Sequence, residues 1–259
     1  MRPRGVGLAL LLAALVSCSS NPPAPVKDAA APATPSYFVV NAQTAATITG
    51  RVTFKGVRPR RQAIRIDEDL GCVQLNKSGL LEESVIVHGL QAALANVFIY
   101  VKKGLEGKQF APPPAVEAVT IDQKGCRFGP HVLGIRAGQT LRVTNSDPLT
   151  HNIHPQARLN REWNQSQEPG SPALERKFVR PEIMVRVKCN VHSWMRAYVG
   201  VVEHPYFAVT GEDGSFAIPN LPPGDYTIEA WQEKLGAQEL EVHVEPSAKK
   251  AVAFTFTGV

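Results

Sequence analysis

Along much of this chain apolar and polar residues alternate with a period of two, the spacing that puts successive side chains on opposite faces of a β-strand. Ala46 to Phe54, Thr140 to Thr144, Ile183 to Lys188, Leu240 to Val244 and Ala251 to Phe256 all read this way. Asn96 to Val101, Tyr198 to Val202, Ser215 to Ile218 and Tyr226 to Trp231 are short runs rich in β-branched and aromatic residues. Gly, Pro and Asn clusters separate them, such as Asn145-Ser146-Asp147-Pro148. Short strands between turn signals predict an all-β chain built as a sandwich or barrel. The 21 Pro and 20 Gly disfavour long helices, and only Ser171 to Arg176 reads as one helical turn. Residues 155–180 are polar and irregular, and predict a long loop that forms a lid near His151.

The N-terminus follows a different pattern. Arg2 and Arg4 precede Val6 to Val16, eleven residues without a charge. At 1.5 Å per residue this run is too short for a hydrocarbon core of about 30 Å, so it reads as a signal segment rather than a membrane span. It ends in Leu15-Val16-Ser17-Cys18, which resembles a bacterial lipobox. That resemblance implies cleavage after residue 17, a lipid on Cys18 and, with Ser19 next, the periplasmic face of the outer membrane. Residues 18–43 are rich in Pro, Ala and Ser and read as a tether. No other segment approaches 18 consecutive apolar residues, and the remaining stretch of about 215 residues is expected to be soluble.

Loss of residues 1–17 removes two Arg and takes the formal charge from +5 to +3. In an exported chain the Arg58, Arg60 and Arg61 cluster is a solvated surface or a docking patch for an acidic redox partner, not a nucleic-acid site. Cysteine usage says more. With Cys18 acylated, Cys72, Cys126 and Cys189 remain, an odd number for an oxidising compartment. Two can pair, and one must be free, intermolecular or a metal ligand.

Cys189-Asn190-Val191-His192-Ser193-Trp194-Met195 is a C-x2-H-x2-M string placed directly after an alternating strand. Upstream, His151 follows the Asn145 to Pro148 turn. Two imidazoles, a thiolate and a thioether form a soft-to-borderline donor set, which suits copper held by His2Cys with a weak axial Met. A strand ending in Cys189 and one tight return loop can aim Cys189, His192 and Met195 at one point, while His151 comes from a neighbouring strand end. His154, three residues after His151, falls on the other face of an extended chain.

The upstream His151-Asn152-Ile153-His154 together with C-x2-H-x2-M resembles the cupredoxins, and among them the amicyanin-like members with a short ligand loop. Pro130 to Leu133 and Ala137 to Asn145 resemble the stretch that leads into the first ligand. The resemblance covers about residues 117–203. It implies one mononuclear copper ligated by His151, Cys189, His192 and Met195, with Asn152 hydrogen-bonded across to the Cys loop. Trp194 would shield the copper or pack against the fold. No second Cys stands beside Cys189 and no His-x-His pairs occur, so a binuclear or oxidase site is not expected. With Cys189 given to the metal, Cys72 and Cys126 are left to each other as a disulfide.

The string Glu212 to Ile228, with Asp213-Gly214-Ser215-Phe216 and Leu221-Pro222-Pro223-Gly224-Asp225-Tyr226, resembles the carboxypeptidase regulatory-like, transthyretin-like sandwich. There Gly214 and Gly224 would permit turns, and Phe216, Ile218, Leu221 and Tyr226 would fill a core. Ile48 to Val52 resembles the first strand of that family, far upstream. The expected architecture is therefore a cupredoxin Greek-key sandwich, residues 117–203, inserted in or joined to a transthyretin-like sandwich of residues 44–116 and 204–259. The expected function is electron transfer with a periplasmic or membrane redox partner. Copper storage or delivery and a non-metal scaffold lipoprotein are the alternatives. No nucleophile–base pair, motif-borne carboxylate pair or phosphate loop points to an enzyme.

Overall fold

The computed structural model describes residues 36–258; the signal segment and Cys18 lie outside the described residues. Four β-sheets form the bulk of the fold. In the first, Ala46–Lys55 pairs antiparallel with Ser215–Leu221 and parallel with Lys249–Thr257. The second runs in the order Phe207–Val209, Phe98–Lys103, Gly224–Gln232, Gly236–Val244. The third runs Gln165–Gln167, His151–Pro155, Glu182–Lys188, Arg196–Val202, Val132–Arg136. The fourth runs Leu174–Lys177, Thr140–Asn145, Val119–Gln123, Phe128–Gly129. The one helix among the described residues, Leu70–Leu75, is a short turn capped by Asp69.

Strand periodicity explains which sheets pack together. Ile48, Val52, Phe216, Ile218, Leu221 and Phe254 share a core with Ile99, Val101, Tyr226 and Ile228, which joins the first sheet to the second. Ile121, Leu141 and Val143 share another with Val187, Val199 and Val201, which joins the fourth sheet to the third. Burial of each such Val, Leu or Ile contributes about 1.5–3 kcal/mol. A third, smaller cluster joins the two pairs: Phe98, Tyr100, Val132, Met184 and Val202. The strand Phe98–Lys103 is therefore apolar on both faces. Ile99 and Val101 point into one core while Phe98 and Tyr100 meet the neighbouring sheet, which accounts for the uninterrupted run Val97 to Val101.

Three expectations are corrected. Residues 155–180 are not a single irregular loop. They contribute Gln165–Gln167 to the edge of His151–Pro155, and Leu174–Lys177 to the edge of Thr140–Asn145. Ser171 to Arg176 is not helical, because Leu174–Lys177 pairs with Thr140–Asn145 and forms the edge of that sheet, with alternate residues left exposed. The simple alternation of Ile183 to Lys188 is broken by a bulge at Met184, where φ is 59°. The bulge turns Met184 into the inter-sheet cluster and leaves Ile183 partly exposed. Of the arginine cluster, Arg61 donates from Nε to Glu82 O (2.7 Å), whereas Arg58 and Arg60 are exposed.

Two glycines make the junction between the sheet pairs possible. Gly134 and Gly200 stand opposite each other on adjacent parallel strands, and the Phe98 ring lies over both. A Cβ at Gly200 would come within 2.5 Å of Phe98, and one at Gly134 within 2.3 Å of Phe207. Gly200→Val is expected to overpack this junction and to destabilise the fold by about 1–3 kcal/mol. Denaturant unfolding at constant m-value measures it; an unchanged midpoint would show that the junction yields freely.

Candidate metal centre

His151 opens the strand His151–Pro155, which pairs on one side with Gln165–Gln167 and on the other with Glu182–Lys188. Cys189 directly follows Glu182–Lys188, and Arg196–Val202 returns beside it. The intervening loop is closed by its own backbone. Met195 N donates to His192 O (3.0 Å) and Cys189 N to Met195 O (3.2 Å). His192 N donates to Cys189 Sγ (3.3 Å). Asn190 N donates to Asn152 Oδ1 (3.0 Å), which ties the loop to the strand that carries His151.

These constraints bring His151, Cys189 and His192 together. One donor atom of each lies within 4.8 Å of the others. The two Nδ1 atoms are 3.0 Å apart, and His192 Nδ1 is 3.9 Å from Cys189 Sγ. All three side chains are buried, His151 completely, and Met195 is 1% exposed in the same core. His154 points elsewhere: its Nε2 is 2.5 Å from Glu162 and its Nδ1 3.3 Å from Asn190 Oδ1. The Trp194 ring lies 5.1 Å from that of His192, and its Nε1 donates to Cys126 O (3.1 Å). Trp194 therefore both packs and covers.

Electrostatics favour a thiolate here. Burial raises the Cys189 pKa, but hydrogen bonds from His151, His192 and the His192 and Asn152 backbone outweigh it and bring it down to about 6. The thiolate is the metal-binding form. Burial lowers the His192 pKa, and the neighbouring Cys189 and Asp69 more than reverse that. Two imidazole nitrogens, a low-pKa thiol and a buried methionine fit copper as a donor set.

Sequence reasoning missed two contributors. Asp147 Oδ2 is 2.8 Å from His151 Nε2, and Asp69 Oδ2 is 3.1 Å from His192 Nε2. Asp147 lay inside a string read only as a turn, and nothing in sequence links Asp69 to a residue 123 positions later. Cys72 and Cys126 form a disulfide with a Cα–Cα separation of 5.8 Å, beside these carboxylates. His131 is placed in a separate buried contact, Nε2 to Glu233 Oε1 at 2.5 Å.

No family model matches the chain, and no curated protein matches it. Among solved structures, part of the chain is similar to a Cu-containing nitrite reductase from Thermus scotoductus SA-01, at 21% identity and TM-score 0.31. That match covers 39% of this chain and 25% of the reductase. A Cu(I) amicyanin variant is similar at 21% identity over 32% of this chain and 81% of its own, with TM-score 0.29. A purple cupredoxin from Nitrosopumilus maritimus is similar at 22% identity over 32% of this chain and 97% of its own, with TM-score 0.28.

Proposed function

We propose that this chain is a mononuclear copper electron carrier of the bacterial cell envelope, exported, lipid-anchored through Cys18 and served by a periplasmic or membrane redox partner. The observation that carries the reading is the convergence of the His151, Cys189 and His192 donor atoms within 4.8 Å, in a buried position. His151, Cys189 and His192 would hold the ion, with Met195 as a weak fourth ligand. Copper bound there supplies a one-electron couple.

The protein's own part is rigidity. The Cys189 to Met195 loop is fixed by three internal hydrogen bonds and by Asn152, so its donors cannot rearrange freely when charge changes. Burial keeps bulk water and substrates from the donor atoms, which favours outer-sphere transfer over chemistry on a bound substrate. It also favours a carrier over a copper delivery protein, because ligand exchange needs an open approach. The sheets formed by residues 46–103 and 207–257 would then serve as a scaffold against the metal domain.

Addition of one equivalent of Cu(II) to the protein is expected to give an intense thiolate-to-copper visible band with narrow EPR hyperfine splitting. Cys189→Ser is expected to lose the band. A colourless protein that takes up no stoichiometric copper would overturn the reading and leave a non-metal scaffold. Bound copper should also stabilise the fold by linkage. Free copper at 100 times Kd adds about 2.7 kcal/mol, a rise in Tm of about 5–10 °C for a domain of this size. Thermal denaturation of Cys189→Ser, with and without copper, is expected to show no such rise.

A further inference from the structure

Each candidate histidine ligand has two ring nitrogens, and the structure gives the outer one a carboxylate in both cases. The Nδ1 atoms face each other and Cys189, while His151 Nε2 meets Asp147 and His192 Nε2 meets Asp69. An ionised carboxylate only accepts hydrogen bonds, so each Nε2 keeps its proton, and the inward Nδ1, which faces Cys189, is the nitrogen left to give up its proton to a metal. The carboxylates thus select the tautomer that can bind a metal and fix the plane of each ring.

The two carboxylates are themselves held, and by adjoining pieces of chain. Asp69 Oδ1 accepts the N–H of Cys72 (3.0 Å) at the start of the helix Leu70–Leu75. Asp147 accepts the N–H groups of Gly125 (2.7 Å) and Cys126 (2.8 Å). Gly125 and Cys126 both have positive φ, 61° and 53°, which turns successive N–H groups toward one anion. The disulfide covalently joins Cys72 to Cys126, so it links the donor to one carboxylate with the donor to the other. Asn76 Nδ2 adds a bridge across the same seam, donating to Cys72 O (2.9 Å) and Gly125 O (3.1 Å). Gly71 sits against Leu149, where a Cβ would come within 2.4 Å of the leucine. That close approach presses the helix onto the segment just before His151.

We propose that Asp69 and Asp147 form a matched outer pair of carboxylates that orients both histidine ligands and biases the metal toward its higher charge, with the Cys72–Cys126 disulfide as their common yoke. This rests on the copper reading above. Both aspartates are positioning residues acting through the imidazoles. Their negative charge favours Cu(II) over Cu(I); Asp147, 5% exposed, acts from a poorly solvated place and Asp69 from a partly exposed one.

The test is potentiometry of the copper-loaded full chain, followed by its visible and EPR spectra. Asp69→Asn keeps an oxygen that can accept from His192 Nε2 but removes the charge. It is expected to keep the thiolate-to-copper band and to shift the Cu(II)/Cu(I) balance toward Cu(I) at least tenfold, a rise in potential of about 59 mV or more for one electron. Asp147→Asn is expected to shift it the same way. If Asp147→Asn does not fold, Asp69→Asn, at a partly exposed site, carries the test. Cys72→Ser/Cys126→Ser removes the yoke and neither charge, and is expected to raise the potential by less than Asp69→Asn. An unchanged potential in Asp69→Asn with an intact visible band overturns the charge role, and an unchanged potential in the double serine variant overturns the yoke. A wild-type chain without the band overturns the copper reading and this inference together.

Discussion

Two imidazoles and a thiol buried at one point create an obligation that organises this half of the molecule. Polar groups taken from water must find partners, because an unsatisfied buried donor or acceptor costs about 1–3 kcal/mol. The inward nitrogens of His151 and His192 and the sulfur of Cys189 can satisfy one another or a metal. The outward nitrogens cannot, and each requires an acceptor from outside the ligand loop. Asp147 and Asp69 meet that need. Carboxylates in such places need donors in turn, and the backbones of Cys72, Gly125 and Cys126 provide them. The disulfide, the short helix and the left-handed turn at Gly125 and Cys126 thus follow from one buried polar cluster.

The sheets supply the rigidity that such a cluster needs. His151 begins a strand with neighbours on both sides, and the loop after Cys189 is anchored at both ends by paired strands. The third sheet is packed on one face against the fourth and on the other against Phe98 and Tyr100. A core close-packed on both faces resists small displacements of the strands that carry His151 and Cys189. This is the mechanical basis of the proposed electron carrier: one donor on a paired strand, and the others in a short loop held at both ends by paired strands.

Alternation of apolar and polar residues marked most of the long strands. Ala46–Lys55, Thr140–Asn145, Arg196–Val202 and Lys249–Thr257 extend their sequence-read segments by a few residues. Short edge strands escaped notice, because Gln165–Gln167 and Leu174–Lys177 are polar and owe their form to a neighbour's unpaired backbone. The helix Leu70–Leu75 escaped for a similar reason, being too short to show a period and held by Asp69 and a disulfide. The C-x2-H-x2-M string was legible because its spacing is local, and a tight loop leaves its donors little choice of direction. Asp69 and Asp147 were not, since short aspartates before a turn or a helix are common and carry no mark of what they face.

What the sequence determined by itself is therefore what local geometry determines: the all-β class, the positions of most of the long strands, and the choice of Cys189, His192 and Met195 with His151 as candidate donors. The tertiary structure decided the pairing of Ala46–Lys55 with strands far later in the chain, the junction of Phe98 over Gly134 and Gly200, and the arrival of Asp69 at His192. Alternation and spacing act through neighbouring residues, whose relative directions the backbone dihedrals restrict. Contacts between residues a hundred or more positions apart depend on how whole sheets stack, and no local period records that.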